Sequence, residues 1–177
     1  MPEIDITPSP RILRMLGMID FKAWQCLFEF IDNSIDSFSR EKISNPKITI
    51  ILPKKDEMEE GLIVKDNGIG MSEKELENCL KAGFSGNDTL DMMGLFGMGS
   101  NIAMARLGQV TKIKTSRKDD DNWVEVEIDF FKLEKTNIFK IEPVYIKKTS
   151  EEKGQHGTTV TVTKLKEDHF RPLFNKH

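Results

Sequence analysis

The sequence has only two cysteines and three histidines in 177 residues, and each shortage removes a class of chemistry. Cys26 and Cys79 stand alone, without the repeated spacing of a disulfide framework or a zinc site. Both are expected to be reduced core residues of a cytoplasmic protein. His156, His169 and His177 share no ligand spacing, so no metal chemistry is assigned to them. No long apolar run is present either: the most apolar early stretch, Ile12 to Ile19, is broken by Arg14 and Gly17, and Met1-Pro2-Glu3 lacks the basic start of a signal peptide. Neither a signal peptide nor a membrane span is expected. A net charge of −3 argues against a chain that coats nucleic acid, and the cluster Lys112, Lys114, Arg117 and Lys118 reads as solvation of a strand end.

The 177 residues suit one domain, a size that buries roughly 70% of the unfolded surface. Ser9-Pro10 opens a short helix that Gly17 closes, and Asp20 is placed to cap a long helix from Phe21 to about Arg40. The β-branched runs Lys47 to Leu52 and Gly61 to Asp66 read as a hairpin. Ser72 and Glu75 form a capping box for a helix to about Lys81, and another helix follows from about Met98 to Leu107, ended by Gly108. Further strands are expected at Val110 to Ser116, Trp123 to Phe130, Ile138 to Ile146 and Thr158 to Thr163. The tally points to an α/β (α+β) two-layer sandwich, a mixed and mostly antiparallel sheet with helices on one face.

Four stretches carry chemistry. In Gln25 to Ser37 the polar residues Glu29, Asp32, Asn33 and Asp36 recur at i, i+3, i+4 and i+7, so they share an arc of about 100° on one helix face. Trp24, Leu27, Phe28, Ile31, Ile35 and Phe38 gather on the other side, as a core-facing stripe should. Three carboxylates with no base among them repel one another unless a cation lies over them, and oxygen ligands of this kind suit Mg²⁺, which brings phosphate with it. Asp66-Asn-Gly-Ile-Gly-Met71 follows a strand and precedes a capped helix. It is also an ordinary turn sequence, but three apolar residues before Asp66 favour a buried acceptor for an amine. Gly94-Leu-Phe-Gly-Met-Gly-Ser100 opens a helix whose unpaired backbone N–H groups suit phosphate. It is neither a Walker A loop, having no Gly-Lys-Ser/Thr, nor a Rossmann fingerprint, having no strand before it. Gly157-Thr158 begins a strand and can aim a hydroxyl beside Asp66. The long glycine-containing connection over residues 82–97 reads as a functional lid.

Taken together and in this order, these stretches resemble the GHKL superfamily, which comprises gyrase, the ninety-kilodalton heat-shock chaperones, histidine kinases and mismatch-repair MutL. Glu29-Phe-Ile-Asp-Asn33 is similar to the E-x-x-x-N box, Asp66-x-Gly68-x-Gly70 to the D-x-G-x-G box, Gly94 to Gly99 to the lid hinge and Gly157-Thr158 to the last box. The likeness covers about Phe21 to Leu165. Asp32-Asn33 and the run Met104 to Gly108 look most similar to the MORC and chaperone-like branches. Ser37 departs from the alanine that many members carry there.

The resemblance implies a Bergerat fold, ATP and Mg²⁺. Glu29 would be the general base and Asn33 the Mg²⁺ ligand. Asp66 would accept the adenine amine, helped through water by Thr158 and Gly70. Ile69 and Met71 would pack on the base beside Gly68, and Gly94, Gly97, Met98, Gly99 and Ser100 would form the phosphate-binding turn. The implied function is an ATPase domain whose lid closure drives a conformational or dimerisation switch, in an ATP-dependent homodimer of a longer protein of which this is the N-terminal part. Two alternatives stand beside it. One is a histidine-kinase-type catalytic domain, disfavoured by Glu29 and by the lack of a phospho-acceptor region before Phe21. The other is a non-catalytic module that binds nucleotide or a partner on the same scaffold.

Overall fold

The computed structural model describes Met15 and residues 17–53, 61–81, 99–136 and 140–170. The expected short helix from Ser9-Pro10 lies largely outside those residues, as does the connection over residues 82–97.

Ile48–Ile51 (β1) and Leu62–Asp66 (β2) form the expected hairpin, with Ile50 opposite Val64. Gly108–Ser116 (β3), Asn122–Asp129 (β4), Val144–Lys147 (β5) and Gly157–Leu165 (β6) complete a six-stranded sheet in the order β1-β2-β6-β3-β4-β5. Every pairing among the described strands is antiparallel, so the sheet is more regular than the mixed one expected. Inserting β6, the last strand, between β2 and β3 has a functional consequence. It lays Gly157-Thr158 across from the end of β2, where Lys65 pairs with Thr159, and puts Thr115 opposite Thr158.

The helices are Ala23–Arg40 (α1), Glu73–Leu80 (α2), Gly99–Leu107 (α3), Phe130–Thr136 (α4) and Glu167–Phe170 (α5). The Ser72–Glu75 capping box of α2 is present, with Ser72 N donating to Glu75 Oε2 at 2.8 Å. At α1 the expectation fails: the helix begins two residues later, Gln25 Oε1 accepts from Lys22 N at 2.8 Å, and Asp20 instead receives Arg106 Nη2 at 3.3 Å. Phe130 leaves the strand expected for it because Asp129 Oδ1 accepts from Phe131 N and Lys132 N, an N-cap that starts α4. The strand expected over Ile138 to Ile146 shrinks to β5, and residues 137–139 are outside the described set. Pro143, without an N–H, stands immediately before that strand. Gly108 opens β3 as well as ending α3, pairing with Leu165.

Alternation sends Leu62, Val64, Ile113, Val126, Ile128 and Val162 to one face of the sheet, where the helices cover them with Cys26, Phe30, Leu76, Met104, Leu107 and Leu133. Glu125 and Glu127 lie on the opposite face beside Lys114 and Lys112. The stripe by which α1 enters this core is not the one its large side chains suggest. Ala23, Cys26, Phe30 and Ser34 are buried, while Trp24 and Phe28 are each 52% exposed and Ile35 is 40% exposed. Leu27, Ile31 and Phe38 are half-buried. α1 packs against α3, whose Ala103 and Ala105 are also buried, and its own buried stripe is small except at Phe30. Among the described residues, no helix is long and apolar enough to cross a membrane.

This division predicts unequal costs. Leu62→Ala empties a site only 1% exposed and should lower unfolding free energy by about 2–5 kcal/mol, whereas Ile35→Ser should cost about 1 kcal/mol or less. Urea unfolding followed by far-UV circular dichroism checks both; equal losses would contradict the assignment of the two stripes.

Candidate functional site

β2 ends by burying a carboxylate. Asp66 is 8% exposed, and its two oxygens collect donors from three parts of the chain. Oδ1 accepts from Gly68 N at 2.8 Å and Thr158 N at 3.2 Å, and Oδ2 lies 3.3 Å from Ser34 Oγ of α1, whose one proton is shared with the Phe30 carbonyl at 3.0 Å. Burial pushes the Asp66 pKa above the usual aspartate value, while the Gly68, Thr158 and Ser34 bonds and nearby His156 pull the other way. Oδ2 keeps a lone pair for one further donor.

The turn after Asp66 is held on every side. Ser37 Oγ accepts from Ile69 N at 3.1 Å, Thr115 Oγ1 accepts from Met71 N at 2.9 Å, and His156 Nδ1 lies 2.5 Å from the Gly68 carbonyl, to which it donates. Thr158 Oγ1 and Thr115 Oγ1 are 3.0 Å apart, a hydroxyl pair at the same corner. Gly70 has φ +70°, and a Cβ there would run into the Ser116 carbonyl, so glycine is required by both conformation and space. Ile69 and Met71 are half-buried next to this frame.

Along α1, Glu29 and Asn33 reach the first turn of α3. The Glu29 carboxylate lies where a side chain on Gly99 would be, so the close approach depends on that glycine. Asn33 Nδ2 donates to Ser100 Oγ at 2.8 Å, and Oδ1 of the exposed carboxamide has no hydrogen-bond partner among the described residues. Gly94, Gly97 and Met98 lie outside the described residues; Gly99 and Ser100 are the part of the expected phosphate-binding turn that is described. Burial, and then the charge of Asp32, raise the Glu29 pKa, and burial does the same for Asp36, opposed by Arg40. Burial is the larger cause at both carboxylates, and the charge of Asp32 adds the self-repulsion inferred from the sequence.

Among the described residues, no group of three or more His, Cys, Asp or Glu side chains could hold a metal ion unaided. One free carboxamide oxygen beside acids and a helix N-terminus fits a Mg²⁺ ion that takes most of its ligands from water and phosphate. The site thus brings together Glu29, Asn33, Gly99 and Ser100 at one end and Asp66, Gly68, Ile69, Gly70, Met71 and Thr158 at the other.

The sequence assigns no role in the site to Ser34, Ser37, Thr115 or His156, and marks Ser37 only as a departure from the family pattern. Signals existed for three of them: Ser34 and Ser37 fall on the helical stripe of Cys26 and Phe30, and Thr115 alternates with Ile113 on the inner face of β3. Three residues of the basic cluster are engaged within the fold, Lys112 with Glu127 at 3.2 Å, Arg117 with Glu75 at 2.5 Å, and Lys114 over the Trp123 ring.

A family model described as histidine kinase-, DNA gyrase B-, and HSP90-like ATPase matches residues 21–158, an interval that contains every residue placed in the site above. No curated protein matches the chain.

The causes of the Glu29 shift can be separated. In the nucleotide-free protein, carboxyl ¹³C NMR should show Glu29 titrating above the ordinary glutamate value of 4.5. Asp32→Asn should bring that midpoint down without restoring it, because burial remains. An unchanged midpoint in the variant would remove Asp32 from the account.

Proposed function

Since the chain belongs to the histidine kinase-, DNA gyrase B-, and HSP90-like ATPase family, a family of ATP-binding domains, we propose that it binds ATP with Mg²⁺ at this site and hydrolyses it. The observation that carries the hydrolytic part is that α1 brings a carboxylate, Glu29, and a carboxamide, Asn33, to the N-terminal turn of α3.

Oδ2 of Asp66 accepts the exocyclic amine of adenine, and Ile69 and Met71 pack on the ring. Thr158 and Gly70 assist through water. The backbone N–H groups from Gly97 to Ser100 take the β- and γ-phosphates, aided by the helix dipole. Asn33 offers Oδ1 to Mg²⁺, which when bound neutralises charge on those phosphates. Glu29 accepts a proton from the attacking water as its oxygen bonds to the γ-phosphorus and the bond to the β-phosphate oxygen breaks. A carboxylate already inclined to bind a proton suits that step. Desolvation at Asp66 strengthens its bond to the base, because water does not compete there.

We infer that the nucleotide state is read out as a conformational or dimerisation switch, with residues 82–97 closing over ATP. A second copy of the chain would cover the apolar row Trp24, Phe28 and Ile35, in which the Trp24 and Phe28 rings meet edge to face at 5.9 Å.

Calorimetry with a non-hydrolysable ATP analogue and Mg²⁺ tests the binding half. A hydrogen bond to a charged group is worth about 1.5–3 kcal/mol, so Asp66→Asn should weaken binding roughly 10- to 150-fold. Glu29→Gln should keep binding and lower phosphate release by about 100-fold or more. Wild-type protein that gives no binding signal at millimolar nucleotide would leave the chain a scaffold for some other ligand. Sedimentation of the analogue complex should show a dimer that Phe28→Glu dissociates, and a wild type that stays monomeric with nucleotide would count against the switch.

A further inference from the structure

The Asn33–Ser100 hydrogen bond joins the residue proposed to hold Mg²⁺ to the helix proposed to hold phosphate, across 67 positions of sequence. A carboxamide has one acceptor end and one donor end, and a cation takes only the acceptor. Once Oδ1 faces a metal, Nδ2 must find an acceptor of its own or the amide is free to turn about its last torsion. Ser100 Oγ is that acceptor, 2.8 Å away. The same turn of α3 also meets Glu29, because Gly99 leaves room for the carboxylate. Ser100 and Gly99 therefore grip both functional ends of the E-x-x-x-N box, one through a hydrogen bond and one through close packing.

We propose that the Ser100 side chain is a positioning residue for the metal: its hydroxyl holds the Asn33 carboxamide with Oδ1 presented to Mg²⁺, a role separate from the phosphate contact of its backbone N–H. This rests on the nucleotide-binding reading above and adds a partner to it. A hydroxyl in this place acts on the cation through Asn33, so its removal weakens the contribution of Mg²⁺ and leaves the metal-free contacts of the nucleotide alone. Outer partners of metal ligands commonly matter about tenfold or more in metal affinity.

The experiment measures affinity for a non-hydrolysable ATP analogue by calorimetry, with Mg²⁺ and again with EDTA, in the full chain and in Ser100→Ala and Ser100→Thr. Alanine is the best helix former, and thermal melting confirms that the variant is folded. The expected result is a Mg²⁺-dependent gain in affinity that falls about tenfold in Ser100→Ala, an affinity in EDTA within about twofold of wild type, and recovery in Ser100→Thr, which keeps the hydroxyl. An undiminished gain in Ser100→Ala overturns the proposal alone. Equal weakening with and without Mg²⁺ overturns it too, since the hydroxyl would then act on phosphate, and so does a threonine variant that fails to recover. Wild-type protein that binds no nucleotide under either condition brings down the underlying reading together with this one.

Discussion

The buried carboxylate of Asp66 is the constraint on which the site depends. Taking a carboxylate out of water costs several kcal/mol unless donors replace the lost hydration. Here the donors come from Gly68 in the following turn, Thr158 at the start of β6 and Ser34 on α1. Those bonds fix where a helix, a turn and a strand stand relative to one another, and they leave one acceptor position unfilled. The strand order makes this feasible, because only with β6 beside β2 does the Thr158 amide fall within reach of the end of β2. A group that must be satisfied for the domain to fold is thus already oriented for the amine it is proposed to meet. The structural demand on this residue and the role proposed for it coincide.

The turn from Gly68 to Met71 extends the same economy. Its backbone groups are met by side chains of Asp66, Ser37, Thr115 and His156, drawn from β2, α1, β3 and the segment before β6. A glycine-containing turn has few contacts of its own, and a ligand surface made of backbone is only as rigid as the groups that hold it. Four anchors from four parts of the chain replace the packing that the missing side chains would have given. Ser37 shows how specific such an anchor is: its hydroxyl takes the Ile69 amide from 32 positions away.

What could be read from the sequence follows from how local each feature is. The acidic stripe of α1, the strand-turn-helix context of Asp66 and the capping box at Ser72 are set by residues within a few positions of one another, and all three are present. The bonds from Ser37 to Ile69 and from His156 to Gly68 span 32 and 88 positions, so no periodicity announces them. The core stripe of α1 was misread for a different reason. Hydrophobic patterning gives weight to the large side chains Trp24, Phe28 and Ile35, whereas the stripe that enters the core is Ala23, Cys26, Phe30 and Ser34, three of them small. At Asp129 and Phe130 two local signals competed, and a side-chain cap ended the strand where alternation alone would have continued it.

Charge explains why the two ends of the site belong together. The N-terminus of α3 attracts anions, yet the group against it is the Glu29 carboxylate, with burial and then Asp32 raising its pKa. A phosphate arriving alone meets favourable N–H groups and unfavourable carboxylates at nearly the same place, so the two effects oppose each other. A divalent cation between them reverses the sign of the second contribution, because each carboxylate then faces a positive charge. Asn33 suits the metal-ligand role proposed for it because it is neutral: its oxygen would add a ligand without adding a fourth negative charge to a stripe that already holds Glu29, Asp32 and Asp36. On the proposed reading, the spacing of α1 makes the site depend on a cation, and the neutral amide at Asn33 keeps it from being too acidic to admit a nucleotide.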